Sequence, residues 1–325
     1  MYVMKMSPTY KDYLWGGTKL KSNYNKESSL DIIAESWELA CHPNGESVVI
    51  NGKHAGKTLS DVVMNDVIGY LGRNCFEMTK FPLLIKLIDS KNDLSIQVHP
   101  DDEFAKKFEG ESGKTEVWII LDCENDAYIY YGVKHEISRD KLKENITDGS
   151  IINHLNKVNV KKGDVYFVKP GTIHAIGAGI VIAEIQQNSD VTYRLYDFDR
   201  LDAHGMKRPL HIEKGTKCAD LEPTLQVEPR EGYLAYCKYF SVKRIKGKNS
   251  YKGLVGSDSF QALLITGGEG YIQHDNMKMD FIKGDCFFVP ANLGEFFVNG
   301  NFEILQTEVT APSLPIHPFT DTYIY

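Results

Sequence analysis

Cysteine is scarce. Six occur in 325 residues (Cys41, Cys75, Cys123, Cys218, Cys237 and Cys286), and none forms a C-x-x-C pair. This spacing argues against a disulfide framework and a thiolate metal site, and the six read as reduced, mostly buried thiols without a catalytic role. Positive charge is not in excess either. The net charge is −7, and no basic stripe interleaved with aromatics occurs, so neither nucleic acid nor an anionic membrane is an expected partner. An anionic small molecule in a locally basic pocket stays open. No apolar run is long enough to span a bilayer. The first ten residues lack the apolar core and small-residue cleavage site of a signal peptide, which makes a cytoplasmic location the default expectation.

Helical patterning is also sparse. Apolar residues at helical spacing, a polar start and a glycine stop predict one helix over 58–72. Shorter helices are expected at 101–108, 138–145 and 150–155. Most of the remainder reads as short strands, for example 116–121, 127–131, 164–168, 180–185, 262–265 and 286–289, bounded by Gly, Pro, Asn and Asp turn signals. Many short strands at such spacing point to a sandwich or jelly-roll barrel.

A weak internal repeat organises the chain. The segment 162–174 runs from a Lys162-Gly163-Asp164 turn through an apolar strand to Pro170, Gly171 and His174. The segment 283–295 runs from Lys283-Gly284-Asp285 to Pro290, Asn292 and Glu295. Two related barrels are therefore expected, joined near 217–229, with only the first keeping a metal-binding end. The second has no Gln-x-His segment near Glu295, so no metal is expected there.

The chemistry gathers in three separate strand-like places. Gln97 and His99 stand two apart, so in a strand both face one side. Glu116 and His174 follow later. Imidazole, carboxylate and amide drawn from different strands of a barrel make a candidate metal site. Lys114, two residues before Glu116, would share its face. It is read either as a proton shuttle or general base, or as a lysine that only binds phosphate or substrate hydroxyls. Lys86 interrupts an apolar strand and needs a ligand or an ion-pair partner. Arg194 is a candidate for stabilising an oxyanion or assisting proton transfer, the alternative being a salt bridge to Asp197 or Asp199. Ser112 offers a hydroxyl to a phosphate. His42 reads as a structural turn residue, and Trp15 and Trp37 as packing residues. His54, His135, His154, His204, His211, His274 and His317 have no partner pattern. No Walker-type loop is present, which argues against a nucleotide.

Gly163, Gly171 and His174 keep the spacing of the second cupin signature, with Pro170 one place late. Further segments are Tyr13 to Gly17, Glu35 to Glu38, Pro43-Asn44-Gly45, Phe81-Pro82 to Lys86, Gln97 to Pro100, Gly113 to Glu116, and Gln187-Asn188-Ser189-Asp190 to Asp197. Taken together, and in this order from about residue 8 to His211, they resemble the type I mannose-6-phosphate isomerases in their short bacterial form. The C-terminal third matches only as a degenerate cupin. The resemblance implies a mainly β fold of two cupin-type jelly-roll barrels with short helices inserted in the first. The catalytic metal-binding domain would span 1–222 and the degenerate barrel 223–325.

The same resemblance implies one zinc ion held by Gln97, His99, Glu116 and His174, an active-site arginine at Arg194, and interconversion of mannose 6-phosphate and fructose 6-phosphate. Residues 100–113 look like an inserted helix and loop beside the site. Substrate contacts are expected from Lys86, Ser112, Lys114 and Arg194. Two neutral imidazoles, an amide and one carboxylate would leave a zinc site near +1, suited to negative charge developing on a sugar oxygen. Aldose–ketose exchange moves a proton from C2 to C1 through an enediolate, which such a site would stabilise. An Fe(II) dioxygenase cupin is disfavoured by the Gln and by the missing His-x-His pair. A non-catalytic sugar-binding cupin is disfavoured by the retention of Lys114, Glu116 and Arg194 beside all the ligands. A monomer or homodimer is expected.

Overall fold

Two long strands, Leu83–Ser90 and Ile180–Gln187, are buried along their whole length. A strand apolar on both faces must lie between two layers. In the computed structural model, which describes residues 1–202, 204–224 and 230–311, these strands form the centre of a six-stranded sheet. Its order is Val165–Val168, Glu116–Cys123, Ile180–Gln187, Leu83–Ser90, Glu35–Leu39, Thr9–Lys11, with antiparallel neighbours throughout. His317 and positions 225–229 of the expected junction lie outside the described residues. The protein is mainly β.

One face of this sheet packs through Ile85, Leu87, Val117, Ile119 and Val181 on Met6, Ala262, Leu264, Phe288 and Leu305 of a nine-stranded sheet. The other face packs through Ile88, Trp118, Ile120 and Ile182 on Ile129, Tyr131 and Ile176 of a five-stranded sheet. That sheet runs Leu155–Asn159, Tyr128–Val133, His174–Ile176, Ile96–Val98, Tyr193–Tyr196. Its outer face is covered through Leu142 and Ile146 of the helix Arg139–Thr147. The nine-stranded sheet closes over its own core of Phe281, Phe287, Phe296 and Ile304. Within it Met4–Ser7 pairs antiparallel with Cys286–Val289 on one side and with Val48–Val49 on the other, so the first strand of the chain joins the sheet of the last strands.

The repeat is visible as one turn built twice. Gly163 and Gly284 have φ of +98° and +103°, a conformation that glycine adopts without steric cost. Each donates its N–H to a neighbouring strand, to Ile120 and Ile265 respectively, at 2.8 Å. Asp164 accepts from the Lys161 N–H, and Asp285 from the Ile282 N–H, both at 2.9 Å. The left-handed position Gly171 (φ +87°) has its counterpart in Asn292 (φ +61°).

The helix expected over 58–72 is two short ones, Leu59–Val63 and Val67–Leu71. The break has a local cause. Asp66 turns its carboxylate onto the Gly69 N–H at 2.9 Å and caps a new helix start. The helices Asp102–Phe108 and Arg139–Thr147 begin behind Asp101 and Ser138, whose side chains cap them. The segment 150–155 makes a 3-10 turn, Ser150–His154. Helices Lys19–Tyr24 and Ile212–Cys218 were not expected.

One buried ion pair ties the front of the chain to the second repeat turn. Lys26 Nζ lies 2.7 Å from Glu38 Oε2 and donates to the Gly284 carbonyl at 2.5 Å. Replacing one member of such a pair strands its partner in a dry environment. Lys26→Met should lower stability by about 3 kcal/mol, read as a lower urea midpoint with an unchanged slope; an unchanged midpoint would show that Glu38 is tolerated alone.

Candidate metal and active site

Three adjacent strands of the five-stranded sheet place His174, Gln97 and Arg194 side by side. His174 is registered opposite Gln97, and Gln97 opposite Arg194. Their neighbours Ala175, Ile96, Val98, Tyr193 and Leu195 face the helical side, so alternation turns these three toward the six-stranded sheet. Across the gap, Glu116 and Trp118 share a face of Glu116–Cys123. The rung below Glu116 carries Trp118, Glu184, Lys86 and Trp37 in register. His99 follows the Ile96–Val98 strand, two residues after Gln97.

The ligand atoms of His99, Glu116 and His174 lie within 4.8 Å of one another, and all three residues are buried. The two imidazole Nε2 atoms are 3.1 Å apart. Glu116 is 3.7 Å from His99 Nε2 and 3.5 Å from His174 Nε2. The side-chain amide of Gln97 adjoins them, its nitrogen 3.4 Å from His174 Nε2. A tetrahedral ion with bonds of about 2.0–2.1 Å has ligands roughly 3.3 Å apart, so the spacing fits zinc.

The chemistry of the donors fits as well. His99 Nδ1 faces the Val191 carbonyl and His174 Nδ1 the Thr172 carbonyl, each at 2.9 Å. Those contacts place the proton on Nδ1 and leave the Nε2 lone pair facing inward, the tautomer of a metal ligand. Burial, then the Lys114 charge, holds His99 well below the usual imidazole range. Burial lowers His174 to about 4. Two neutral acceptors thus face each other, and while Lys114 Nζ stands 3.0 Å from Glu116 Oε2, the buried Oε1 has no hydrogen-bond partner. Burial pushes the Glu116 carboxyl up to about 7. Such an arrangement of lone pairs calls for a cation.

Lys114 supplies one nearby charge. It is buried, with Nζ 3.0 Å from Glu116, 3.3 Å from His99 Nε2 and 3.9 Å from Glu184. Lys86 is buried as well, 3.4 Å from Glu35 and 3.3 Å from Glu184, with Nζ over the Trp37 ring. Burial opposes its charge, but Glu35 and Glu184 outweigh that and raise its pKa. The ion-pair reading of Lys86 therefore describes its contacts, and it also lines a cavity. This cavity, about 270 Å³, is walled by Lys86, Lys114, Arg194, Arg208, Glu184 and Gln97, among others.

Arg194 does not pair with Asp197 or Asp199. Asp197 is taken by Arg208 and Arg200, and Asp199 by Lys207. Arg194 donates one bond to the Pro209 carbonyl at 3.1 Å, and its buried Nε has no hydrogen-bond partner. Ser112 is half-buried and does not line the cavity. His42 sits in its turn, accepting from the Asn44 N–H at 3.1 Å and packing edge-on to Trp37. Trp37 is fully buried and donates to Glu35; Trp15 is buried and forms part of the cavity wall.

The sequence reading missed Glu184, Glu35 and Arg208. Glu184 was findable: like Lys86, it is a lone charge in an apolar strand. Lys114 and Lys86 outweigh its burial and keep its carboxyl below the usual range. Arg208 lies in a surface loop with no patterned signal. In the second repeat, Glu295 is exposed and pairs with Lys252 at 2.6 Å, outside an interior filled by phenylalanines.

Residues 3–148 match the model of the phosphomannose isomerase type I catalytic domain, and residues 230–309 that of the mannose-6-phosphate isomerase cupin domain. A mannose-6-phosphate isomerase of Bacillus subtilis is 39% identical over 93% of this chain and 97% of its own length. That of Streptococcus mutans is 36% identical over 90% of this chain and 94% of its own. The crystal structure of the mannose 6-phosphate isomerase from Bacillus subtilis superposes with a TM-score of 0.87 at 34% identity, covering 94% of this chain and 99% of that one. Likeness of this extent, over more than nine-tenths of the chain, means that the chain belongs to the type I phosphomannose isomerase family.

Proposed function

We propose that this chain is a zinc-dependent aldose–ketose isomerase that interconverts mannose 6-phosphate and fructose 6-phosphate through a cis-enediolate. The observation that carries this reading is the convergence of His99, His174, Glu116 and Gln97 donors beside a cavity walled by Lys86, Lys114 and Arg194. Gln97, His99, Glu116 and His174 would hold the ion, Gln97 through its amide oxygen. When bound, zinc supplies a positive charge that favours negative charge on a sugar oxygen.

The remaining steps belong to the chain's own groups. Moving a proton between C2 and C1 needs a base facing the cavity and a cation facing the developing oxyanion. Glu184 lines the cavity with Oε1 between Lys86 and Lys114, which hold its carboxyl below the usual range, so it can exchange that proton. Lys114 Nζ, between Glu116 and Glu184, can hold a proton at the metal edge of the cavity. The Arg194 guanidinium stays charged and, beyond its bond to the Pro209 carbonyl, keeps donors for an enediolate or phosphate oxygen. Lys86, fixed by Glu35 and Glu184, offers its remaining N–H to a substrate hydroxyl. The cavity is too enclosed by fixed charge to suit an apolar substrate, and its four cations match a sugar phosphate.

The first test is a coupled assay of mannose 6-phosphate to fructose 6-phosphate, run with and without chelator on protein of measured metal content. Activity should vanish on chelation and return with zinc. His99→Ala and Glu116→Ala should each lose both metal and activity; full turnover by a metal-free variant would remove zinc from the reaction. A zinc-loaded wild type that binds the sugar phosphate without exchanging its C2 proton into solvent would mark a binding protein.

Arg194→Ala should keep its zinc and lose about 100-fold in kcat, the scale of one oxyanion donor. If only KM rises, Arg194 binds the substrate and does not act on the transition state.

A further inference from the structure

The segment leading into Glu116 is held by a network that begins in the nine-stranded sheet. Three successive amides are tied down. The Gly113 N–H donates to Asp102 Oδ1 at 2.9 Å, the Lys114 N–H to the Pro100 carbonyl at 3.0 Å, and the Thr115 N–H to Gln187 Oε1 at 2.9 Å. Gln187 closes the circuit by donating its own amide N–H to Asp102 Oδ1 at 2.9 Å. Asp102 Oδ2 accepts the Tyr239 hydroxyl at 2.6 Å. Tyr239 sits in the turn between the strands Ala235–Tyr236 and Phe240–Gly247, both in the nine-stranded sheet. The backbone of Lys114 is thus fixed on both sides by groups that meet on one carboxylate.

Room at this point is minimal. A Cβ on Gly113 would lie 2.5 Å from the Asp101 carbonyl carbon and the Asp102 nitrogen, so the two ends of the loop 100–114 touch backbone to backbone. One end continues from His99 and the other into Lys114 and Glu116. Closing the loop is what brings an imidazole donor, an ammonium and a carboxylate donor into one cluster.

We propose that Asp102 is a positioning residue for the site and that Tyr239 is the contact through which the C-terminal sheet holds it, setting where Lys114 and Glu116 lie against His99. This rests on the isomerase reading above and assigns a purpose to the C-terminal sheet in that reaction. Asp102 touches no substrate; it acts through the amides of Gly113 and Thr115. Its three donors keep it ionised and aligned, since a carboxylate accepts at both oxygens at once.

The test uses the full chain with Tyr239→Phe, Asp102→Ala, Asp102→Asn and, as control, Asn74→Ala. Asn74 donates to the Val309 carbonyl at 2.9 Å, another contact with the C-terminal sheet that does not reach the site. Amide exchange at 113–115, zinc affinity, kcat and KM are read on each. Tyr239→Phe should speed exchange at these amides and lower kcat about fivefold, with KM nearly unchanged, the worth of one hydrogen bond. Asp102→Ala should cost about 100-fold in kcat, as misplaced catalytic groups do, and raise the zinc dissociation constant about tenfold, as lost outer-shell contacts do. Asp102→Asn keeps the Oδ1 acceptor and should recover most of both. Asn74→Ala should lose stability alone.

Unchanged exchange at 113–115 in Tyr239→Phe, or the same changes in Asn74→Ala, would overturn the inference. A wild type that turns over no mannose 6-phosphate ends the isomerase reading instead, while amide exchange still decides whether Asp102 and Tyr239 position the segment.

Discussion

Burial of the six-stranded sheet on both faces is the constraint on which the rest depends. A charge on such a sheet is removed from water and costs several kcal/mol unless another charge or a bound ion compensates it. The face toward the nine-stranded sheet is mostly apolar, and its charges are answered: Glu38 by Lys26, and Asp89 by the Lys19 N–H at 2.7 Å. The opposite face changes along the strands. One rung holds Ile88, Ile182 and Ile120; the next holds Lys86, Glu184 and Trp118; the next holds Gln186 and Glu116. Apolar packing against the five-stranded sheet fills one end of the gap, and charge fills the other. No charge there stands alone, because Glu184 lies within 4 Å of both lysines and Glu35 completes the shell of Lys86. A low effective dielectric makes these interactions strong, and the same property makes the site reactive.

Much of this arrangement was legible in the residues. The i, i+2 spacing of Gln97 and His99, the lysine two before Glu116 and the lone charge at Lys86 all carry strand geometry in the sequence itself. Cross-strand register is not written there. That His174, Gln97 and Arg194 stand in one rung depends on pairing over nearly a hundred positions, and only the folded sheets show it. The strand pairing of Met4–Ser7 with Cys286–Val289 was hidden for the same reason. The single helix expected at 58–72 failed on one local competitor, the Asp66 cap, which apolar periodicity does not register.

The two copies of the Lys-Gly-Asp turn separate what folding needs from what the site needs. Both retain a glycine at positive φ, an aspartate closing its own turn and a left-handed residue eight positions after the glycine. These are backbone requirements of the turn itself. The divergence begins three residues past that left-handed position, where His174 points into the cleft and Glu295 into solvent. The second interior is aliphatic and aromatic, and Glu295 pairs with Lys252 outside it. Chemistry was thus free to differ between the copies while the turn was not.

The proposed ion would sit where the apolar core between the two sheets runs out. Gln97, His99 and His174 come from the five-stranded side and Glu116 from the six-stranded side, so an ion there bridges layers that hydrophobic contact joins only further along. Without an ion, Lys114 Nζ stands against two inward lone pairs and a carboxylate at that seam; an ion would draw the same groups together. Binding free energy at such a seam is also folding free energy. The loop 100–114 bears on the same balance, since it fixes His99 and Glu116 before any ion arrives and so reduces the entropy lost when the cluster is filled. A sheet buried on both faces, a seam lacking apolar contact at one end and a loop closed on itself are three parts of one solution: they hold donors that repel each other within 4.8 Å, close enough to suit a metal ion.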